Sequence, residues 1–256
     1  MNTVYRENLY SKLISSSVDT PCLHVRIYNM RNLKFAEGEI YHIYNRGVDK
    51  KIIFPSTEDM DRFFDGMNLF NNSHSIGSLE RSSARRRHGV STAPTESILE
   101  KDRLVRFIAY CLNPNHFHFI LEQIAEKGIE RFMHKLGMGH SKYVNAKYRR
   151  SGALFQGSFK AIHIDSNEYL LHVSAYVNLN NRVHGYRHRV PMRSSWEEYV
   201  SDSKDSRFCK KDLVLGQFKS KKGYKIFAEE SLEDIVKRKE LMKELENDNI
   251  GPLNIA

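Results

Sequence analysis

The chain has 256 residues, with 40 Lys and Arg against 31 Asp and Glu and a formal net charge of +9. That length suits one domain with extensions or two small ones, and the positive balance points to a polyanionic partner, most often nucleic acid. The cysteines at 22, 111 and 209 are odd in number and far apart, with no Cys-x-x-Cys, which argues against a zinc ribbon or a disulfide framework; no run of about 18 apolar residues and no signal-peptide core occurs, so the expectation is a cytoplasmic protein with no membrane partner.

Residues 1–35 show no sustained period and read as an N-terminal appendage; Met30, just before the basic stretch Arg31 to Phe35, leaves room for a later start. From Glu39 the pattern alternates as in a strand, with Tyr41, Ile43 and Asn45 on one face and His42, Tyr44 and Arg46 on the other, and Gly47 ends the run. Ser56 or Thr57 then caps a helix whose apolar stripe is Met60, Phe63, Phe64, Met67 and Phe70. Residues 72–101 read as an inserted basic loop containing Arg85, Arg86 and Arg87. A strand from Leu104, the turn Asn113-Pro-Asn115, and a strand from His116 to Gln123 form an antiparallel hairpin. A helix over 128–150 follows, kinked or split at Gly137 and Gly139, with a basic and aromatic far end from Lys142 to Arg150. Next come a strand over 158–164, a cap at Asp165 or Ser166, and a helix running through Tyr176 and Asn180 to about Gly185. The resulting order is β-α-β-β-α-β plus one helix, an α+β, ferredoxin-like antiparallel sheet. Helices are expected on one face of that sheet, leaving the other open for a site. Residues 36–190 are thus read as the principal domain and 191–256 as a C-terminal extension packed on it or contacting nucleic acid.

On a strand, His116 and His118 stand side by side while Phe117 points into the opposite layer. Two imidazoles on one rigid face form half of a metal site. Tyr176 and Asn180, four apart, share a helical face. A tyrosine hydroxyl attacks phosphorus when a metal polarises the phosphate, and Asn180 offers a third, oxygen ligand. His134, His140, His163, His172, His184 and His188 show no spacing that singles them out. Tyr143 and Tyr148 either stack on bases or pack in the core.

At these residues the chain resembles the single-tyrosine HUH (His, hydrophobic, His) transposases, in particular the REP-associated tyrosine transposases and their insertion-sequence relatives. The resemblance is carried by the stretch Tyr41 to Gly47, by Tyr110 to His118, by Leu154 to Lys160, and by Tyr169 to Leu171 followed by Tyr176 to Asn180. The region of Trp196 is similar to that family's Trp-Ser-Ser-Tyr turn in altered form. The resemblance implies His116 and His118 as ligands of Mg²⁺ or Mn²⁺, Asn180 as the third ligand and Tyr176 as nucleophile. It implies cleavage of single-stranded, hairpin-containing DNA through a 5′-phosphotyrosine, and rejoining to another 3′ end. Arg46, Arg85, Arg86, Arg87, Lys142, Arg149, Arg150 and Lys160 are the candidate DNA contacts. One departure is that the family's His-Leu-Asn-Pro after the tyrosine is here Asn178-Leu-Asn180-Asn181. Both monomers and homodimers occur among such enzymes, and both remain open for this chain.

Two other readings compete. A non-catalytic module could bind single strands through aromatics on the same sheet, although the Lys/Arg-Gly-Phe pattern of such modules is missing. A small-molecule metallohydrolase fits less well, given the positive charge and a tyrosine where a general-base carboxylate is needed.

Overall fold

The computed structural model describes residues 33–73, 102–186, 191–201 and 208–248, with 238–248 as backbone only. Strand β1 (Ile40–Arg46) leads through a 3-10 turn (Val48–Lys50) to helix α1 (Thr57–Leu69). Strands β2 (Val105–Asn113) and β3 (His116–Gln123) form the hairpin, followed by helix α2 (Gly128–Lys147), strand β4 (Lys160–Ile164) and helix α3 (Asn167–Asn178). Beyond these lie helix α4 (Asn180–Val183), strand β5 (Arg193–Ser194), and helices α5 (Trp196–Val200), α6 (Asp212–Leu215) and α7 (Lys221–Asp248). The strands make one antiparallel sheet in the order β4-β1-β3-β2-β5. The first six elements keep the β-α-β-β-α-β order, with β1 and β3 as neighbours in the middle. The fifth strand pairs Arg193 with Leu112 and Ser194 with Cys111; two residues are too short for alternation to reveal.

Period-two alternation sets the first layer of core. Tyr41 and Ile43 of β1 and Phe117, Phe119 and Leu121 of β3 meet Met60, Phe63 and Met67 of α1 and Ile129, Phe132 and Leu136 of α2. Phe117 and Phe119 lie 4.6 Å apart between ring centroids, and Phe63 covers both. Each phenylalanine withdrawn from water contributes roughly 1.5–3 kcal/mol, so reversing the strand's parity is prohibitive. Ser56 caps α1 through a reciprocal box with Asp59.

In β2 the register shifts between Phe107 and Ala109. This bulge lets Phe107, Tyr110 and Leu112 share the helical side, while Ile108, Ala109 and Cys111 face the other. Helix α2 is continuous, in contrast to the break expected at Gly137 and Gly139. A Cβ at Gly139 would lie 3.1 Å from the Phe70 ring, so this glycine admits a close neighbour inside an unbroken helix. The buried Asn71 side chain accepts from the Leu104 and Val105 amides and donates to the Val105 carbonyl, and the Ser73 amide donates to the Asp102 carbonyl. The chain thus leaves the domain and re-enters it at one point. Arg85, Arg86 and Arg87, together with most of the expected 72–101 loop, the 1–32 segment and His188, lie outside the described residues.

The second face of the sheet is not open, contrary to expectation. Ile108, Ala109, Cys111 and Ile120 are apolar there, and they are covered by Leu170, Val173 and Val177 of α3 and by Trp196, Tyr199, Val214 and Tyr224 of the C-terminal region. The extension is therefore part of the core. Among the described residues no helix is long and apolar enough to cross a membrane.

His140 of α2 is buried, and its Nε2–H donates to the Ile53 carbonyl at 2.8 Å. Burial holds its pKa down to about 4. As pH falls, the unfolded chain takes up this proton first, so the stability His140 provides is complete above about pH 6.5 and is lost toward pH 4. Thermal melts should show a His140-dependent loss on the order of 2 kcal/mol between about pH 7 and pH 5. His140→Gln keeps a donor and does not titrate, so its melting temperature should fall less over that range; an equal fall would place the acid sensitivity elsewhere.

Candidate functional site

The strand that buries Phe117 and Phe119 stands His116 and His118 on its other face. Antiparallel register sets Arg46 opposite His116 and Tyr44 opposite His118 on β1. On β2 it sets Asn113 opposite His116 and Cys111 opposite His118, a placement that depends on the bulge upstream. From above, Tyr176 of α3 meets the His118 ring edge-on at 5.4 Å between centroids and 83°, and the His42 ring at 6.1 Å and 81°.

The helix expected to carry both Tyr176 and Asn180 breaks between them. Leu179, at φ −107° and ψ 12°, ends α3, and Asn180 starts α4. The two side chains nevertheless remain neighbours: Asn180 hydrogen-bonding favours the ionised form of the Tyr176 hydroxyl, although burial outweighs it and raises the pKa. The break turns Asn180 down toward the sheet, where its Oδ1 lies 2.9 Å from His116 Nε2.

Around His116 the donors and acceptors can be assigned. Asn115 Oδ1, 2.7 Å from His116 Nδ1, can only accept, so Nδ1 carries a proton. In the neutral ring Nε2 is then a lone pair, and it faces Asn180 Oδ1, another acceptor. Asn113 Nδ2 lies 3.0 Å from Nε2 and donates to Asn180 Oδ1 at 2.8 Å, bridging the two. Asn180 Nδ2 is buried and has no hydrogen-bond partner of good geometry among the described residues. Two converging acceptors 2.9 Å apart match the spacing of adjacent ligands, each about 2.1 Å from one octahedral cation. These residues therefore fit a divalent metal.

His118 is buried, and its Nδ1 is 2.9 Å from His42 Nε2. Desolvation, followed by the neighbouring His42, His116 and His184, holds its pKa well below the ordinary histidine value. Burial lowers His42 to about 4. Both rings are neutral at physiological pH, the state a metal ligand requires. Among the described residues no group of three or more His, Cys, Asp or Glu side chains is arranged to hold a metal, so a cation here would depend on the Asn180 oxygen as well as on His116 and His118.

Several participants had no spacing to announce them. His184 lies 4.7 Å from His116 between ring centroids, and the Tyr186 hydroxyl donates to Asn115 Oδ1 at 3.0 Å. Asn113 and Asn115 flank the hairpin proline and come into view only through the strand register.

The candidate DNA contacts divide by location. Arg46 is exposed beside His116 and its guanidinium is bonded to Gln156 Oε1, while exposed Lys160 pairs with Tyr44 in the register of β1 and β4. Lys142 lies on α2 and Arg149 and Arg150 follow its end; α2 packs in the first core and the Tyr176 helix in the second. Tyr143 and Tyr148 are committed elsewhere, with both hydroxyls donating to buried Asp59, at 2.8 and 2.6 Å.

Residues 92–180 match the family model described as "Transposase IS200 like". That span contains His116, His118, Tyr176 and Asn180 but not β1. One solved structure, described as the REP-associated tyrosine transposase bound to a REP hairpin, aligns over 67% of this chain and 84% of its own at 12% identity, with a TM-score of 0.41. No curated protein matches the chain.

The tyrosine-bearing helix is fixed by a relay of hydrogen bonds. The Tyr110 amide donates to Ser195 Oγ at 2.9 Å, Ser195 donates to Asn178 Oδ1 at 2.6 Å, and Asn178 Nδ2 donates to the Tyr224 hydroxyl at 2.8 Å. Ser174 gives its proton to the Leu171 carbonyl and so receives the Tyr224 proton at 3.1 Å. Tyr224→Phe leaves a buried amide donor unsatisfied and should cost about 1–3 kcal/mol in urea unfolding. A variant as stable as wild type would show that the apolar contacts alone hold α3 in place.

Proposed function

We propose that this chain, residues 92–180 of which match the IS200-like transposase family model, cleaves and rejoins single-stranded, hairpin-bearing DNA with Tyr176 as nucleophile. The observation that carries this reading is the convergence of Tyr176 on His118, and of Asn180 on His116, over one sheet face. In the cleavage step the Tyr176 oxygen bonds to phosphorus and the bond from phosphorus to the 3′ oxygen breaks. The phenolic proton passes to solvent and the leaving oxygen takes one up, giving a 5′-phosphotyrosine and a free 3′-hydroxyl. Attack by another 3′-hydroxyl reverses the step, and because the phosphodiester energy is retained no nucleotide cofactor is needed.

His116 Nε2, His118 and Asn180 Oδ1 would hold Mg²⁺ or Mn²⁺. When bound, the metal supplies positive charge that polarises the phosphate and offsets the charge developing in the transition state. The protein's own contribution is orientation. Tyr176 is held by α3 against the sheet, and its hydroxyl, whose pKa burial pushes further above the ordinary tyrosine value, is kept beside Asn180. Arg46 and Lys160, exposed at the same end of the sheet, would grip phosphates next to the scissile bond. Lys142, Arg149 and Arg150, and outside the described residues Arg85, Arg86 and Arg87, would bind the DNA farther off.

Tyr176 lies over His118 of its own chain, which supports a reading in which one chain supplies both nucleophile and histidine pair. A non-catalytic single-strand binder needs an open aromatic sheet face, whereas here that face is covered by α3 and the C-terminal helices.

Labelled hairpin DNA incubated with the protein and Mn²⁺ should give a denaturant-resistant adduct that maps to Tyr176. Tyr176→Phe should lose cleavage by at least about 10³-fold with DNA affinity unchanged, and no metal should rescue it. His116→Ala should lose cleavage through weakened metal binding and regain part of it in excess Mn²⁺. An undiminished adduct in Tyr176→Phe would assign the wrong tyrosine, and cleavage without any adduct would make water the nucleophile.

A further inference from the structure

His42 lies outside the matched family segment, and neither the spacing of the histidine pair nor the proposed chemistry gives it a role. It stands on β1, on the same face as Tyr44, and is buried. Its Nε2 lies 2.9 Å from His118 Nδ1. The two ring centroids are 5.1 Å apart and the planes differ by 21°. Two imidazoles meeting edge to edge, nitrogen to nitrogen, have centroids about 5.2 Å apart, the hydrogen-bond distance plus two ring radii. The contact is therefore a directed, nearly in-plane hydrogen bond, and face-to-face stacking at that separation does not describe it. Tyr44 lies roughly parallel to both rings, at 5.1 Å from His42 and 5.6 Å from His118, and helps fix their planes.

We propose that His42 is a positioning residue: it accepts the Nδ1 proton of His118, which locks His118 in the tautomer whose Nε2 lone pair is free for the metal. The metal half of this statement rests on the reading given under Proposed function; the tautomer half concerns the chain alone. The neighbouring site residue repeats the arrangement. His116 gives its Nδ1 proton to Asn115 Oδ1 and keeps Nε2 for the cation. Each histidine of the pair thus spends Nδ1 on a protein acceptor, His42 for one and Asn115 for the other. Such partners fix ring orientation and raise ligand basicity, and losing one commonly weakens metal affinity 10- to 100-fold. With the opposite polarity, His42 would donate to His118 Nδ1, the neutral His118 ring would carry its proton on Nε2, and no lone pair would remain for a metal.

Two measurements on the full chain separate the tautomer from the metal. In metal-free protein with ¹⁵N-labelled histidine, long-range ¹H–¹⁵N spectra should show His118, identified by its loss in His118→Gln, protonated at Nδ1. His118 protonated at Nε2 in wild type would overturn the proposal whatever the protein's activity. The second measurement is Mn²⁺ binding, followed by the loss of the free-ion electron paramagnetic resonance signal. His42→Phe keeps an aromatic ring but removes the acceptor, and should weaken binding about 10- to 100-fold. His42→Gln restores an acceptor oxygen at similar reach and should recover most of the affinity. Wild-type affinity in His42→Phe, or equal losses in Phe and Gln, would overturn the positioning role. A wild type that shows the Nδ1–H tautomer yet binds no Mn²⁺ would refute the metal reading and, with it, the function assigned to that tautomer.

Discussion

The alternation of side chains along β3 is the constraint on which the other features depend. Phe117 and Phe119 are fully enclosed by α1 and α2, so the strand cannot slip by one residue without exposing two phenyl rings and burying two imidazoles among them. Apolar burial on one face thereby fixes His116 and His118 on the other. Strand parity alone therefore chooses the face on which the two imidazoles stand, and polar partners act only on the orientation of each ring. The bulge at Phe107 and Ala109 extends the same logic to β2, because it brings Cys111 and Asn113 onto the histidine side while leaving Tyr110 and Leu112 in the first core.

The second face is built by a different device. Apolar sheet residues there require a cover, and the cover is the helix that carries Tyr176, backed by the C-terminal region. Two hydrogen-bonded side chains of that helix, Ser174 and Asn178, are tied to Tyr224 and, through Ser195, to the backbone of β2. Tyr176 sits between them in sequence and points to the histidines. The C-terminal extension thus acts on the site indirectly, by setting how rigidly the tyrosine is presented. In the proposed reaction, a ring anchored in this way would lose little further freedom on reaching a phosphate, which is the entropic advantage of a preorganised nucleophile.

Much of this was legible in the sequence wherever a short-range rule applied. Strand parity placed His42 with Tyr44 and Arg46, and placed His116 with His118; the cap candidates Ser56 or Thr57 and Asp165 or Ser166 marked two helix starts, and in each case the serine is the cap. The rest depended on partners distant in the chain. The break at Leu179 has no glycine or proline to signal it, and it is what turns Asn180 onto His116. Gly137 and Gly139 suggested a kink, yet Gly139 serves a close contact with Phe70 across layers. Asn113, Asn115 and His184 join the site through register and tertiary approach, which no local pattern encodes. Closure of the second face by residues after 191 was likewise hidden, because a helix with a modest apolar stripe does not state what it will cover.

In the proposed site the acceptors of His116, His118 and Asn180 converge on one divalent cation beneath Tyr176. Anomalous diffraction at the manganese edge, from crystals of the full chain soaked in Mn²⁺, tests it most directly. One strong peak is expected about 2.0–2.3 Å from His116 Nε2, His118 Nε2 and Asn180 Oδ1, on the side of the sheet that faces Tyr176. A fully soaked crystal with no peak there, or with its manganese bound at some other group of side chains, would contradict it.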